Sequence, residues 1–540
     1  MEEPVVMGVT RGQVAPMGVP HTGSAPAALT VVEAQSGPEA APAKQSAAPP
    51  SAHVAGSGTS VVYVHNPLSG GAPINLLAPL GSARRHLPAV LFAGRVGNMA
   101  IMVALIAFGL GAMSEATQFT NLTSFLVWNV WWPFLVVAVF VAARLWCSIC
   151  HLRLTADIFD RFGLKMRVPR LLKKYGTTVP IATGLGIFVV HSTVVSYDVH
   201  HFGQYTAIFL IALMAYAAVV GIVFEKHSFC KYFCPLVGVL GNYTRVSPTE
   251  LRSADLGQCK RCRDKSCLKN CQNKLYMGTM DDEQQESCLL CMRCVKHCPN
   301  GNVRLSPRPY LRGLWQSPKR TVAGTLAVIV LLGIVMGEVG EEWKVVDGWL
   351  LSVPTALTNA FGFETVLPVA SGGGYLIWEA FWVFIVLPLA VFAICGSLAY
   401  LLVRTHNPFE YVRIYALGFV PFILSLHAAK LVTTFNEHAG YLPGALTDPR
   451  GLETARALDA GLRSVPGAII ASPAVWGWLL VAFVAGFGVL GSLYATWRIS
   501  QVSFAETRGD GIKTAIPFSV ALAVLGSIAV MTIYIWQISA

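Results

Sequence analysis

Nine stretches of about 20 apolar residues run through this chain, and they constrain its fold more than any other feature. No water reaches the middle of a bilayer, so each backbone N–H and C=O in such a stretch must be satisfied within the segment, and a helix does this. The stretches fall near 99–113, 122–145, 179–196, 205–224, 321–339, 375–403, 415–435, 475–497 and 516–536. Composition agrees: 54% of the 540 residues are hydrophobic and 13% charged, about half the charged share of a soluble protein. The expected fold class is a polytopic α-helical membrane protein of about nine transmembrane helices.

The first stretch is short and follows Arg84, Arg85 and Arg95. The second carries Trp128, Trp131 and Trp132 towards its outer end, where indoles anchor at a membrane interface. A net charge of +11 would suit nucleic acid, but the basic residues lie in loops between spans: Arg153, Arg161, Lys165 and Arg167 in one, Arg404 and Arg413 in another, Arg508 and Lys513 in a third. That is positive-inside topology, so no nucleic-acid partner is expected and these loops face the cytoplasm. Residues 1–80, rich in Ala, Pro, Gly and Ser, read as a disordered tail with no signal-peptide pattern.

Eight of the thirteen cysteines lie between the fourth and fifth spans. Cys259, Cys262, Cys267 and Cys271 form one run; Cys288, Cys291, Cys294 and Cys298, with Pro299 directly after, form the other. The second reads Cys-x2-Cys-x2-Cys-x3-Cys-Pro, which resembles the spacing by which bacterial ferredoxins hold [4Fe-4S] clusters. There, three thiolates on one tight loop reach three irons and the fourth ligates the neighbouring cluster. The resemblance implies one cluster on Cys259, Cys262, Cys267 and Cys298, and another on Cys288, Cys291, Cys294 and Cys271. Two zinc sites, each held by four cysteines, are the competing reading, but zinc does not call for a third cysteine followed by x3-Cys-Pro. The first run departs from the pattern: four residues separate Cys262 from Cys267, and Gln272 stands where proline is usual.

From Trp146 to Pro299 the order of elements resembles the membrane polyferredoxins of the periplasmic nitrate reductase and nitrous-oxide reductase systems, and the accessory polyferredoxin of cytochrome oxidase assembly. The matched features are two helical hairpins, a cysteine pair after each (Cys147 and Cys150, then Cys230 and Cys234 with Pro235), and the double-cluster ferredoxin. The first pair departs, being Cys-x2-Cys-His rather than Cys-x3-Cys-Pro. Nine spans with a cytoplasmic N-terminus put the clusters in the cytoplasm and the C-terminus on the periplasmic side, in a multi-pass protein of the bacterial cytoplasmic membrane. Four segments are expected: the tail 1–80, a four-span core 81–254, an inserted ferredoxin module 255–312 and a five-span domain 313–540 that the resemblance does not cover.

Further candidate sites lie in and beside the spans. Cys147, Cys150, Cys230 and Cys234 sit at one membrane face near basic or aromatic flanks that favour thiolate, as a third metal centre or a metal-free cysteine set. His191 and His427 each lie about twelve residues, or roughly 18 Å, into an outward-running span, as axial ligands to haem b or as the lining of a quinone pocket. Their equal depth predicts that the C-terminal spans pack His427 towards His191 instead of forming a separate bundle. His200, His201 and His438 form a second tier, while Lys430 and Glu379 are ionisable residues that need a protein or water neighbour. Cys395 reads as packing.

The function expected is electron transfer, one electron at a time, between a quinone pool or cytoplasmic donor and a membrane or periplasmic redox partner, within a multi-subunit complex in the lipid bilayer. Lys260, Arg261, Arg263, Lys265, Lys269, Arg293 and Lys296 would raise the cluster potentials and dock an acidic partner. The alternatives are an assembly factor that handles metal for another enzyme and a transporter with a regulatory ferredoxin.

Overall fold

A computed structural model describes residues 74–111, 119–142, 144–169, 199–200, 202–280, 287–316, 322–361 and 377–539. Among them, seven helices are long and apolar enough to cross a membrane: Ala78–Leu110, Leu122–Ala142, Gly203–Val223, Glu379–Leu402, Pro408–Thr447, Pro473–Ser503 and Arg508–Gln537. A shorter apolar helix, Gly324–Gly340, occupies the place of the fifth expected span. The architecture is that of a helical membrane protein. The third expected span, 179–196, lies outside the described residues, as do residues 1–73.

The first span begins earlier than its sequence suggests. Its α-helix is Leu87–Leu110, not 99–113, and Arg95 and Asn98 are inside it. Both are satisfied by protein: Arg95 Nε donates to the Ser148 carbonyl at 2.6 Å, and Asn98 donates to the Ile149 carbonyl at 3.3 Å. Polar residues that end a hydropathy stretch therefore do not end the helix, because the neighbouring segment supplies their partners. Within the stretch read as tail, Leu76 N–H donates to the Leu305 carbonyl, and Leu77 is buried in the core of the cysteine-rich segment.

The fifth and seventh spans form the centre of the membrane half. Val328, Val335, Phe422, Leu424 and Leu426 from these two helices are almost wholly buried. The outer helices instead turn apolar faces outward, as with Val90, Phe92, Ile101 and Val103 on Ala78–Leu110 and Val520 and Val524 on Arg508–Gln537. Such faces are stable against lipid tails. Val136 and Val139 of the second span share a core with the fifth and seventh, so the C-terminal spans are not a separate bundle.

Trp128 and Trp132 also find partners within the protein. Trp128 Nε1 donates to Thr206 at 3.0 Å, and the Trp132 ring lies 5.6 Å from that of His427. The helix widens to π geometry over Phe125–Trp131, just before Pro133, and again over Trp382–Val386, just before Pro388. Proline has no N–H to give the previous turn, and the wider turn re-pairs the carbonyls left over.

Between the fourth and fifth spans, strands β1 (Thr249–Ser253) and β2 (Val303–Pro307) pair antiparallel, with Leu251 opposite Leu305. They close the ends of the cysteine-rich segment on each other. Its core is made of Leu251, Met277, Met280, Leu290, Val295 and Val303 together with the cysteines themselves, and Leu87 and Leu91 of the first span pack against it.

Candidate metal centres

The β1–β2 pairing closes a segment in which the two cysteine runs approach each other. Cys298 of the second run is within electrostatic reach of Cys259 and Cys267, and Cys262 is within reach of Cys259. Cys271 of the first run is within reach of Cys288, Cys291 and Cys294. The two sets adjoin where Cys294 also senses Cys267.

Several donors already aim at these sulfurs. The Leu275 N–H lies 3.3 Å from Cys271 Sγ, and the Asn302 N–H lies 3.2 Å from Cys298 Sγ. Asn302 Nδ2 donates to Cys259 Sγ at 3.2 Å, while its side chain also holds Asp255 at both backbone groups. Nothing in the cysteine spacing marks Asn302. Lys265, Leu290 and Met292 adopt φ of 48°, 48° and 56°, the left-handed region that non-glycine residues occupy at some cost. Such turns expose successive N–H groups on one side, where an anion is favoured. The Gln272 amide, at the position where proline is usual, is buried, with neither its nitrogen nor its oxygen partnered among the described residues.

Burial raises the Cys259, Cys267 and Cys271 thiols above their ordinary pKa, pushes Cys288 up to about 12, and carries Cys294 well above the usual range. Metal binding at these positions therefore means releasing protons. Among the described residues, no three or more His, Cys, Asp or Glu side chains form a group that would hold a metal ion. A cubane asks for another arrangement, since each thiolate bonds a different iron.

The cysteine pairs after the two hairpins also come together. Cys230 and Cys234 are each within electrostatic reach of Cys147 and Cys150. The two pairs are built alike: Cys147 lies in the short helix Leu145–Ile149 and Cys230 in the turn Phe229–Phe233, while Cys150 and Cys234 are extended and lead into the helices His151–Phe159 and Leu236–Thr244. Gly221 lets the fourth span approach the first of those helices; a Cβ there would stand 2.6 Å from the Ala156 carbonyl oxygen.

The expectation that flanking charge makes these thiols thiolates is reversed. Burial raises Cys147, and pushes Cys150 up to about 11 and Cys230 up to about 12, against the opposing pull of Arg153 on all three. Arg144 and Arg153, legible in sequence only as topology charges, are 3% and 2% exposed. Arg144 donates to the Val237 carbonyl at 3.3 Å, and Arg153 reaches the Cys147 carbonyl at 3.4 Å. Beside them Asp157 faces His227 at 3.2 Å and Arg95 at 3.9 Å.

His427 is buried in the membrane half, its Nδ1 hydrogen-bonded to the Tyr243 hydroxyl at 3.0 Å. The Glu338 carboxyl is within electrostatic reach of Tyr243 and of Lys430. Lys430 pairs with Glu342 and lies 5.0 Å from the Trp536 ring centre. His191 and His201 are outside the described residues. His438 stacks on Phe119 at 3.7 Å and donates to the Thr434 carbonyl, and His200 meets Trp128 edge-on. Cys395 is packed in the core.

No protein-family profile matches the chain, and no solved structure matches it. One similar curated protein is the Escherichia coli (strain K12) protein described as "Putative electron transport protein YccM", 26% identical over 145 residues. The match covers 26% of this chain and 36% of that relative, so the chain spans little more than a third of the relative's length.

Proposed function

We propose that this chain is a membrane electron-transfer subunit whose module holds two [4Fe-4S] clusters, one on Cys259, Cys262, Cys267 and Cys298 and the other on Cys288, Cys291, Cys294 and Cys271. The observation that carries the reading is the nearness of Cys298 to Cys259 and Cys267, and of Cys271 to Cys288, Cys291 and Cys294, which a crossed ligation would use. The donors at Asn302 and Leu275 support it, as do the orphaned amide of Gln272 and the similarity to a protein described as an electron transport protein. Bound there, such clusters carry one electron at a time.

The module and N-terminus lie on the cytoplasmic side of a bacterial cytoplasmic membrane and the C-terminus on the periplasmic side. Lys260, Arg261, Arg263, Lys265 and Lys269 are exposed around the first run, which suits an acidic redox partner within a larger complex. A quinone is the partner within the membrane. The Tyr243–His427 pair, with Glu338 and Lys430 beyond it, offers protonatable groups that quinone chemistry uses and that haem ligation does not need.

Anaerobic purification with iron and sulfide analysis and EPR tests the reading. At least about eight irons per chain are expected, with signals that appear on reduction by dithionite. A preparation with stoichiometric zinc and no iron ends the ferredoxin reading. His427→Leu should abolish cluster reduction by a quinol while leaving reduction by dithionite intact; unchanged quinol-driven reduction removes the quinone arm alone.

A further inference from the structure

Two segments far apart in sequence bring Cys147, Cys150, Cys230 and Cys234 to one place, each pair on the same short turn, extended cysteine and following helix. A second observation points to what they hold. Arg153 is 2% exposed, yet its Nε and one terminal nitrogen have no hydrogen-bond partner among the described residues. The same guanidinium is within electrostatic reach of Cys147, Cys150 and Cys230, and of Asp157, whose carboxylate His227 and Arg95 already engage. Arg144, whose Nε is also unpartnered, lies within reach of Cys147. A buried guanidinium with unused donors is costly unless an anion sits against it.

We propose that Cys147, Cys150, Cys230 and Cys234 hold a third iron–sulfur cluster, with Arg153 as the cationic partner of its charge, and that it continues the electron path of the module into the membrane half. For its source of electrons the proposal rests on the ferredoxin reading above. Four thiolates on a [4Fe-4S]2+ core leave a net charge of about −2, and one added electron makes it about −3, so a fixed guanidinium favours both assembly and reduction. Reducing this cluster oxidises the one on Cys288, Cys291, Cys294 and Cys271 by the same single electron, with no bond made and no proton moved.

Its position fits that path on both sides. Arg144 is within electrostatic reach of Cys147 and also of Cys288, and Arg95 is within reach of Arg153 and also of Cys291. Single side chains therefore link the two cysteine sets. On the other side Cys147 packs against the core that contains the seventh span. Trp146 lies 5.6 Å from Trp131, and the neighbouring Trp132 lies 5.6 Å from His427. The four-cysteine set thus stands between the module and the Tyr243–His427 pair.

The test compares the full-length chain, purified anaerobically from membranes, with Cys230→Ser/Cys234→Ser and with Cys259→Ser/Cys288→Ser. The wild-type chain should hold about twelve irons, and Cys230→Ser/Cys234→Ser about eight with the module's EPR signals unchanged. Cys259→Ser/Cys288→Ser should lose irons from the module and keep an iron–sulfur signal that belongs to neither module cluster. Arg153→Gln should lower the midpoint potential of that third signal alone, and Arg153→Lys should restore most of it. If the wild-type chain holds about eight irons and Cys230→Ser/Cys234→Ser changes neither count nor spectrum, the third cluster is overturned and the ferredoxin reading stands. One zinc per chain beside about eight irons also overturns it, in favour of a mononuclear site. A chain with no iron overturns both. Should the double variant fail to fold, the wild-type iron count decides.

Discussion

The two cysteine regions handle the same electrostatic difficulty in different ways. Half-burial does not separate them, since Cys147, Cys150, Cys230 and Cys234 are as half-buried as Cys262, Cys271, Cys291 and Cys298; in the module the sulfurs are met by neutral donors such as the Leu275 and Asn302 N–H groups and the Asn302 amide. Exposed lysines and arginines stand farther out. At the membrane face the sulfurs look instead towards two buried guanidiniums, Arg144 and Arg153. Neutral dipoles and a fixed formal charge are two ways of favouring negative charge on sulfur, and the two regions differ in which they use.

The sharpest way to break the comparison is to remove a shared ligand. Cys298→Ser should cost the cluster on Cys259, Cys262 and Cys267 and spare the other, about half of the module's iron. Loss confined to the cluster on Cys288, Cys291 and Cys294 would show that each run ligates its own cluster. Iron analysis with EPR reads this directly.

A smaller change should sharpen it. Asn302→Ala removes a donor to Cys259 Sγ, and a hydrogen bond to sulfur favours the more negative, reduced state. The midpoint potential of that cluster should fall by about 20–60 mV, the equivalent of one hydrogen bond for a one-electron couple. Redox titration monitored by EPR measures it, and an unchanged potential would mean that neutral donors are not what balances charge in the module.

The smallest effect is expected beside the membrane-face set. For Asp157, burial alone would raise the pKa, but the hydrogen bond and charge of His227, with Arg153 and Arg95, hold the carboxyl below its usual range. A carboxyl depressed in the folded state adds stability above its unfolded pKa and loses it as pH falls through the folded value. Asp157→Asn should therefore cost about 0.5–1 kcal/mol near neutrality and flatten the acid limb of thermal stability. Denaturation followed between neutral and acidic pH checks it, and an unchanged acid limb would leave Arg153 and Arg95 as the only charges that matter there.

Spacing along the chain determined by itself what depends on neighbours in sequence. The apolar stretches at 205–224 and 475–497 became the helices Gly203–Val223 and Pro473–Ser503, because a bilayer demands a minimum apolar length and a helix supplies it locally. The cysteine runs likewise drew attention to the segment that β1 and β2 close, because their spacing is read from consecutive residues. Tertiary structure decided where polar groups find partners. Arg95 and Asn98 look like the end of a span until the Ser148 and Ile149 carbonyls are beside them. Trp132 gives no sign in sequence of the His427 ring that it meets. Arg153 looks like a loop charge until burial places it beside the membrane-face cysteines, and Asn302 has no role until the β1–β2 clasp brings it to Cys259. Apolar length is read from consecutive residues, but the partner of a charge or a hydrogen bond is set by segments that fold back from far along the chain.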